Sequence, residues 1–341
     1  MSIQIILAGL LTTIQDKGRF GFQQQGVIVS GAMDSFAFRV ANLLVGNDEG
    51  AAALEVTLIG PKLRFERDAL ISICGGQLAP VVDGEPLPLW RPVYVQAGRS
   101  LEFGACQAGA RAYMAVAGGF DVPLVLGSRS TYLRAGLGGY EGRALQAGDE
   151  LPLGQPSSLA IAYMHMLCHA KESKTNPLPF GAANWSIGHE IRPAYSKEPT
   201  IRIVPGREYA HFTEESRQAL VAARFPVSSQ SDRMGYRLEG AILNLAEVCE
   251  PISEAVSFGT VQVPAGGNPI ILMADHQTIG GYPKIAQIAT VDLPLLAQLK
   301  PGEAVRFRMI SQQESEALYL EHEMQTYQLS KAIEIRYKEM R

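Results

Sequence analysis

Cysteine is scarce in this chain and never paired. Cys74, Cys106, Cys168 and Cys249 are scattered singly over 341 residues with no CxxC spacing. That excludes a disulfide-stapled scaffold and a paired-cysteine zinc site, and points to reduced thiols in a cytoplasmic protein. Positive charge is not in excess either. Thirty Lys and Arg against 34 Asp and Glu leave a formal net charge of -4, which gives no electrostatic footprint for nucleic acid. No apolar run reaches the roughly 20 residues needed to cross a bilayer. The opening MSIQIILAGLLTTIQDKGR lacks the basic start and small-residue cleavage pattern of a secretory signal and reads as a first strand. The expectation is a soluble chain with neither nucleic acid nor membrane as partner.

Compact catalytic signatures are missing too. The glycine-rich tract Arg134 to Arg143 (RAGLGGYEGR) has neither a Gly-Lys-Ser/Thr ending nor GxGxxG spacing, so tight turns explain it about as well as a phosphate loop. There is no GxSxG elbow and no Ala-Met-Lys-Met-type lysine for biotin. His165, Cys168 and His169 would share a helix face if AIAYMHMLCHA is helical, but no HExxH or CxxC accompanies them. No metal and no cofactor attachment is expected on this chain.

What is present is a foldable, strand-rich sequence. Hydrophobic residues make up 47% and charged residues 19%, outside the composition of disorder. Short β-branched runs such as ALISICGG, PVYVQAG and RAYMAVAGG, broken by glycine and proline, predict strands. A helix is expected in SFAFRVANLLVG after a cap at Asp34 or Ser35, and another in TEESRQALVAARF. The length suggests two cores. An N-terminal β lobe is placed at 1–154, a connecting segment at 155–199, a C-terminal β lobe at 200–310 and an amphipathic helix at 311–341. In that helix Ser311 and Glu314 form a capping box, and Ala317, Leu320, Met324 and Tyr327 form the stripe expected to pack on its own lobe.

Four stretches concentrate charge and glycine: Gln15 to Arg19, Ser30 to Asp34, Gln230 to Arg237 (QSDRMGYR) and Asp275 to Lys284 (DHQTIGGYPK). An Arg fork suits carboxylate or phosphate, and Asp can orient it or act as a base. A single Asp–Arg pair is more often a salt-bridged turn. The second tract, however, joins a carboxylate and an amide to paired glycines whose N–H groups can approach a ligand. It follows the apolar run PIILMA, which places it at a strand end.

Four long segments then carry a resemblance. GVIVSGAMDSFAFRVANLLVGNDEGAAALEVTLIGPKLRF, AVAGGFDVPLVLGSRSTYLRAGLGGYEGRALQAGD, SSQSDRMGYRLEG and VQVPAGGNPIILMADHQTIGGYPKIA closely resemble the biotin-dependent carboxyltransferase subdomain A/B family, also called the second allophanate-hydrolase-type subunit. That family includes the C subunit of prokaryotic 5-oxoprolinase, the antagonist of the Kip inhibitor of a sporulation kinase, and the carboxyltransferase part of urea carboxylase.

The resemblance implies a mostly β fold of two cyclophilin-like β-barrel lobes with few helices. It also implies association with a Kip-inhibitor-like B subunit and an A subunit, and ATP-dependent opening of 5-oxo-L-proline to L-glutamate. With no phosphate loop here, ATP is expected on a partner. Implied site positions are Ser30, Asp34, Asp232, Arg233, Arg237, Gln277, Gly280, Gly281 and Tyr282. As roles, Asp232, Asp275 and Gln277 are expected to act in catalysis. Ser30, Asp34, Arg233, Arg237, Gly280, Gly281, Tyr282 and Lys284 are expected to bind substrate. The family commonly has Arg where this chain has His276, Thr at Ile279 and Pro at Ile28. The alternatives are a biotin-dependent carboxyltransferase acting on a urea- or amide-like substrate and a non-enzymatic antagonist of a Kip-type inhibitor.

Overall fold

The computed structural model describes residues 2–172, 178–247 and 252–339. The chain is mostly β and divides into two compact units, each assembled from discontinuous segments: residues 1–18, 34–193 and 326–341 in the first, and 19–33 and 194–325 in the second.

The first unit holds two six-stranded sheets. In one, Ser2–Leu7 lies between Glu150–Pro152 and Lys62–Phe65; in the other, Ala69–Gln77 and Ala108–Val116 pair at the centre. Ile3, Ile5, Leu63, Phe65 and Leu101 of one sheet and Ile14, Val56, Ile71, Ile73 and Met114 of the other form a single buried core. Helix α1 (Ser35–Leu44) covers the outer face of the second sheet. The strand Ala69–Gln77 is therefore buried on both faces, which is why ALISICGG reads as a continuous apolar run and not as an alternation. Burial pushes its Cys74 thiol well above the usual range. Cys106 and Cys168 are likewise thiols; Cys249 lies outside the described residues.

Asp34 starts α1: its Oδ1 accepts from the Ala37 N–H at 2.9 Å, a side-chain N-cap. The glycine-rich tract is a set of turns. Gly142 has φ +70°, and a Cβ there would lie 2.0 Å from the Gly136 carbonyl oxygen, so only glycine fits. The segment expected to be a bare connection contains helix α2 (Ser158–Glu172) and the strand Phe180–Ala182, which pairs with Val93–Val95. Tyr163 of α2 stacks on Tyr337 at 4.5 Å between centroids. The described residues of 155–193 thus belong to the first unit, with Tyr163, Leu167 and Phe180 buried in it.

The second unit is built on seven strands in the order Phe225–Pro226, Ala304–Met309, Thr200–Pro205, Lys284–Ile288, Thr260–Gln262, Ile270–Leu272 and Gly235–Arg237. The two outermost strands continue into each other's reach. Val227 bridges Leu238, Ser228 N–H donates to the Arg237 carbonyl at 2.8 Å, and Glu239 N–H donates to that of Pro226 at 2.9 Å. The sheet therefore closes into a barrel. Ile201, Ile203, Phe225, Tyr236, Leu238, Val261, Ile271, Ile285 and Phe307 fill it. Helix α3 (Glu214–Ala222), capped by Thr213, and the short α4 (Leu293–Ala297) complete its core.

Helix α5 (Gln312–Glu339) begins where the capping pattern predicts, with Ser311 Oγ accepting from the Glu314 N–H. Its buried face is not the expected one. Thr326, Leu329, Ile333 and Tyr337 are buried, while Leu320, Met324 and Tyr327 are exposed. Both stripes have helical spacing, and the inner one is set by Tyr337, whose hydroxyl donates to the Leu44 carbonyl at 2.6 Å. No described helix is long and apolar enough to cross a membrane.

Candidate functional site

The second unit gathers most of the singled-out residues at strand ends of its barrel. Asp275 follows the strand Ile270–Leu272 and is buried with Arg233. The Arg233 guanidinium donates from Nε to Asp275 Oδ2 at 2.9 Å, and from Nη2 to Asp275 Oδ1 at 3.0 Å and to the Gly31 carbonyl at 2.7 Å. Ser30 Oγ donates to Asp275 Oδ1 at 2.7 Å. Ser30 itself has φ +58°, a strained backbone for a non-glycine residue. Three distant stretches of sequence, at Ser30–Gly31, Arg233 and Asp275, are thereby joined around one bidentate ion pair.

This geometry changes the expected roles. The sequence suggests that Arg233 holds a substrate anion and that Asp275 activates water, yet each side chain is 6% exposed and turned toward the other. The Ser30 hydroxyl bonds the same carboxylate. Asp34 belongs to the first unit, fully buried, with its carboxylate used as a helix cap. Asp232 is exposed and its Oδ1 accepts from the N–H groups of Met234 and Gly235, an Asx-type turn. Arg237 is exposed on the outermost strand. Gln277 and Tyr282 are exposed, Gly281 is half-buried and Gly280 buried.

Around Lys284 the structure adds residues that sequence reading missed. Lys284 Nζ is buried, 3.8 Å from Glu208 Oε2 and 3.8 Å from Glu254 Oε2, with no hydrogen-bond partner. Its backbone N–H donates to Glu208 Oε2 at 2.9 Å. Arg207 bonds Glu254 from the other side. Gln262, opposite Lys284 in the antiparallel ladder, is 2% exposed, and its Nε2 also lacks a partner. Opposed residues of a ladder point to the same face. Gly280 lies directly over this amide: a Cβ there would be 2.4 Å from Gln262 Nε2. Leaving two buried donors unmade is costly, by about 1–3 kcal/mol each, and marks a place suited to an oxygen acceptor. The signal in sequence was faint, because Glu208, Glu254 and Gln262 sit in unremarkable strand-end contexts.

His276 is buried, and its Nδ1 is 2.6 Å from the Gln277 carbonyl. Burial pushes its pKa below the ordinary value, opposed by that carbonyl and by the Asp275 charge. The folded imidazole thus protonates at lower pH than the unfolded one, and the unfolded chain binds more protons as pH falls below about 6.5. The stabilisation from a neutral His276 is whole above that pH and is lost as pH drops through the folded value. The urea midpoint should fall between pH 7 and pH 5, and a His276→Gln variant should show a shallower fall. Equal slopes would show that the folded imidazole is unperturbed.

A groove of about 360 Å3 in the first unit, lined by Val122, Pro123, Leu137 and Tyr140, contains none of the expected site residues. Asp16, in another of the charged stretches, accepts from Ser128 Oγ, Ser130 Oγ and the backbone N–H groups of Gly18 and Arg129. It is a staple for that loop.

A chain of two sheet-built units, one closed into a barrel with a polar cluster at its strand ends, is the architecture of a carboxyltransferase-type domain. Residues 25–309 match the family "carboxyltransferase domain, subdomain A and B", and the chain belongs to that family. It is 41% identical over 326 residues to the 5-oxoprolinase C subunit of Escherichia coli (strain K12), covering 95% of this chain and 96% of that protein. It is 38% identical to the 5-oxoprolinase C subunit of Haemophilus influenzae over 94% of this chain and 96% of that one. The crystal structure of Kluyveromyces lactis urea carboxylase superposes with a TM-score of 0.84 and 30% identity, over 95% of this chain and 29% of that one. The chain thus spans under a third of that solved structure.

Proposed function

We propose that this chain is the C subunit of an ATP-dependent 5-oxoprolinase complex, working with a Kip-inhibitor-like B subunit and an A subunit. The pair of buried donors that make no hydrogen bond, Lys284 Nζ and Gln262 Nε2, carries the reading. Near-full-length similarity to two 5-oxoprolinase C subunits supports it.

In this reading ATP, held by a partner, phosphorylates the lactam oxygen of 5-oxo-L-proline. Water adds to the activated carbon and the ring C–N bond breaks, with nitrogen taking a proton. The resulting γ-glutamyl phosphate is hydrolysed by a second water to glutamate and phosphate. Lys284 and Gln262 receive the charged oxygen as Gly280 shifts from above the Gln262 amide, and such donors act where negative charge develops. Asp232, which is exposed, takes a proton from water in this reading. Arg233, Asp275 and Ser30 hold the Asp275–Lys284 tract in register.

The experiment is co-expression with candidate A and B subunits, scoring glutamate release that requires both 5-oxoproline and ATP. Release by A and B alone at the same rate would sink the proposal. The likeness to urea carboxylase favours a second reading, carboxyl transfer from biotin to an amide- or urea-like substrate. It demands a biotinylated partner, which streptavidin blotting of the purified complex would reveal.

A further inference from the structure

Helix α5 carries two apolar stripes, and the fold uses one. Leu318 packs against the cluster of Val204, Ala289 and Ile310, and Leu329, Ile333 and Tyr337 are buried further along. On the opposite side Leu320 is 67%, Met324 62%, Tyr327 63% and Ile335 54% exposed. Lys331 completes this outer stripe, its Nζ 5.5 Å from the Tyr327 ring centroid. Four large apolar side chains aligned on one exposed helix face mark an interaction surface more often than chance scatter does.

We propose that α5 pairs antiparallel with α5 of a second copy of this chain, about a twofold axis beside Tyr327 and Gln328. Charge selects the occupant and its direction. Residues 312–325 carry Glu314, Glu316, Glu321 and Glu323 with no Lys or Arg. Residues 326–339 carry Lys331, Arg336 and Lys338 against Glu334 and Glu339. Parallel pairing would set the four carboxylates against their own copies. Antiparallel pairing sets them against the half that holds every cation of the helix, and also opposes the two helix dipoles favourably.

The register follows from the twofold. Leu320 meets Ile335 of the second copy, Met324 meets the Lys331 stem, and the two Tyr327 rings approach at the axis. Such a contact is isologous and closes after two copies. A single helix pair buries less than a standard interface, so the dimer is weak, with dissociation in the micromolar range or above.

Sedimentation velocity of the full chain from ~1 to ~200 µM should show a concentration-dependent monomer–dimer equilibrium. Gln328→Cys, exposed and beside the axis, should form a covalent dimer under mild oxidation that the wild type, run in parallel, does not. Leu320→Lys combined with Met324→Lys, which sets new cations against Lys331 and Arg336 of the second copy, should weaken association at least tenfold while leaving the urea midpoint unchanged, because both side chains are exposed. A monomer throughout the range, or a dimer that survives the double substitution, overturns the proposal. So does a Gln328→Cys chain that cross-links only to a different protein in the assembled complex, which would assign the stripe to that partner.

Discussion

Arg233→Ala is expected to destabilise the second unit by about 3–5 kcal/mol, the cost of breaking a buried ion pair from one side. The alanine removes every guanidinium bond to Asp275 and to the Gly31 carbonyl, and leaves the Asp275 carboxylate, 6% exposed, with its compensating charge gone. Against a typical domain stability of about 5–15 kcal/mol this is a large fraction, so the urea midpoint should drop steeply. The size of the loss reflects the stranded charge more than the worth of the pair. Arg233→Met combined with Asp275→Leu should therefore recover much of what Arg233→Ala loses. A loss under about 1 kcal/mol for Arg233→Ala would place the pair among solvent-screened surface bridges and remove its role as a clamp.

Lys284→Met should act chiefly on turnover. Removing a donor aimed at developing charge typically costs about 10²–10³ in rate, and glutamate release by the assembled complex should fall by that order. Stability should fall by less than in Arg233→Ala, because the pairs lost with Glu208 and Glu254 are long, at 3.8 Å each, and the Nζ makes no hydrogen bond. Wild-type turnover in Lys284→Met would count against the donor pair. A parallel collapse in stability would recast Lys284 as the structural partner of Glu208 and Glu254.

Much of the fold was legible because its signals are local. The cap at Asp34, the helix that follows it and the strands broken by glycine all lie within a few residues of their causes. The site was legible only as two tracts. Arg233 looked like a ligand-binding group because its fork suits anions, and Asp34 because the family resemblance implies a site there. Whether a carboxylate caps a helix, clamps a loop or meets a substrate depends on what faces it across the fold. For Asp275 that is Ser30, 245 residues away. Glu208, Glu254 and Gln262 were invisible for the same reason: each becomes notable only beside Lys284. The outer and inner stripes of α5 share one periodicity, and only the packing of Tyr337 on Tyr163 distinguishes them.

The bridge between Val227 and Leu238 bears on how other proteins can engage the second unit. By tying the outermost strands together it takes up, among the described residues, the peptide groups with which those two strands could pair an incoming strand. Recognition of the barrel must then be written in side chains, where single substitutions can retune which partner is accepted without disturbing the backbone ladder beneath.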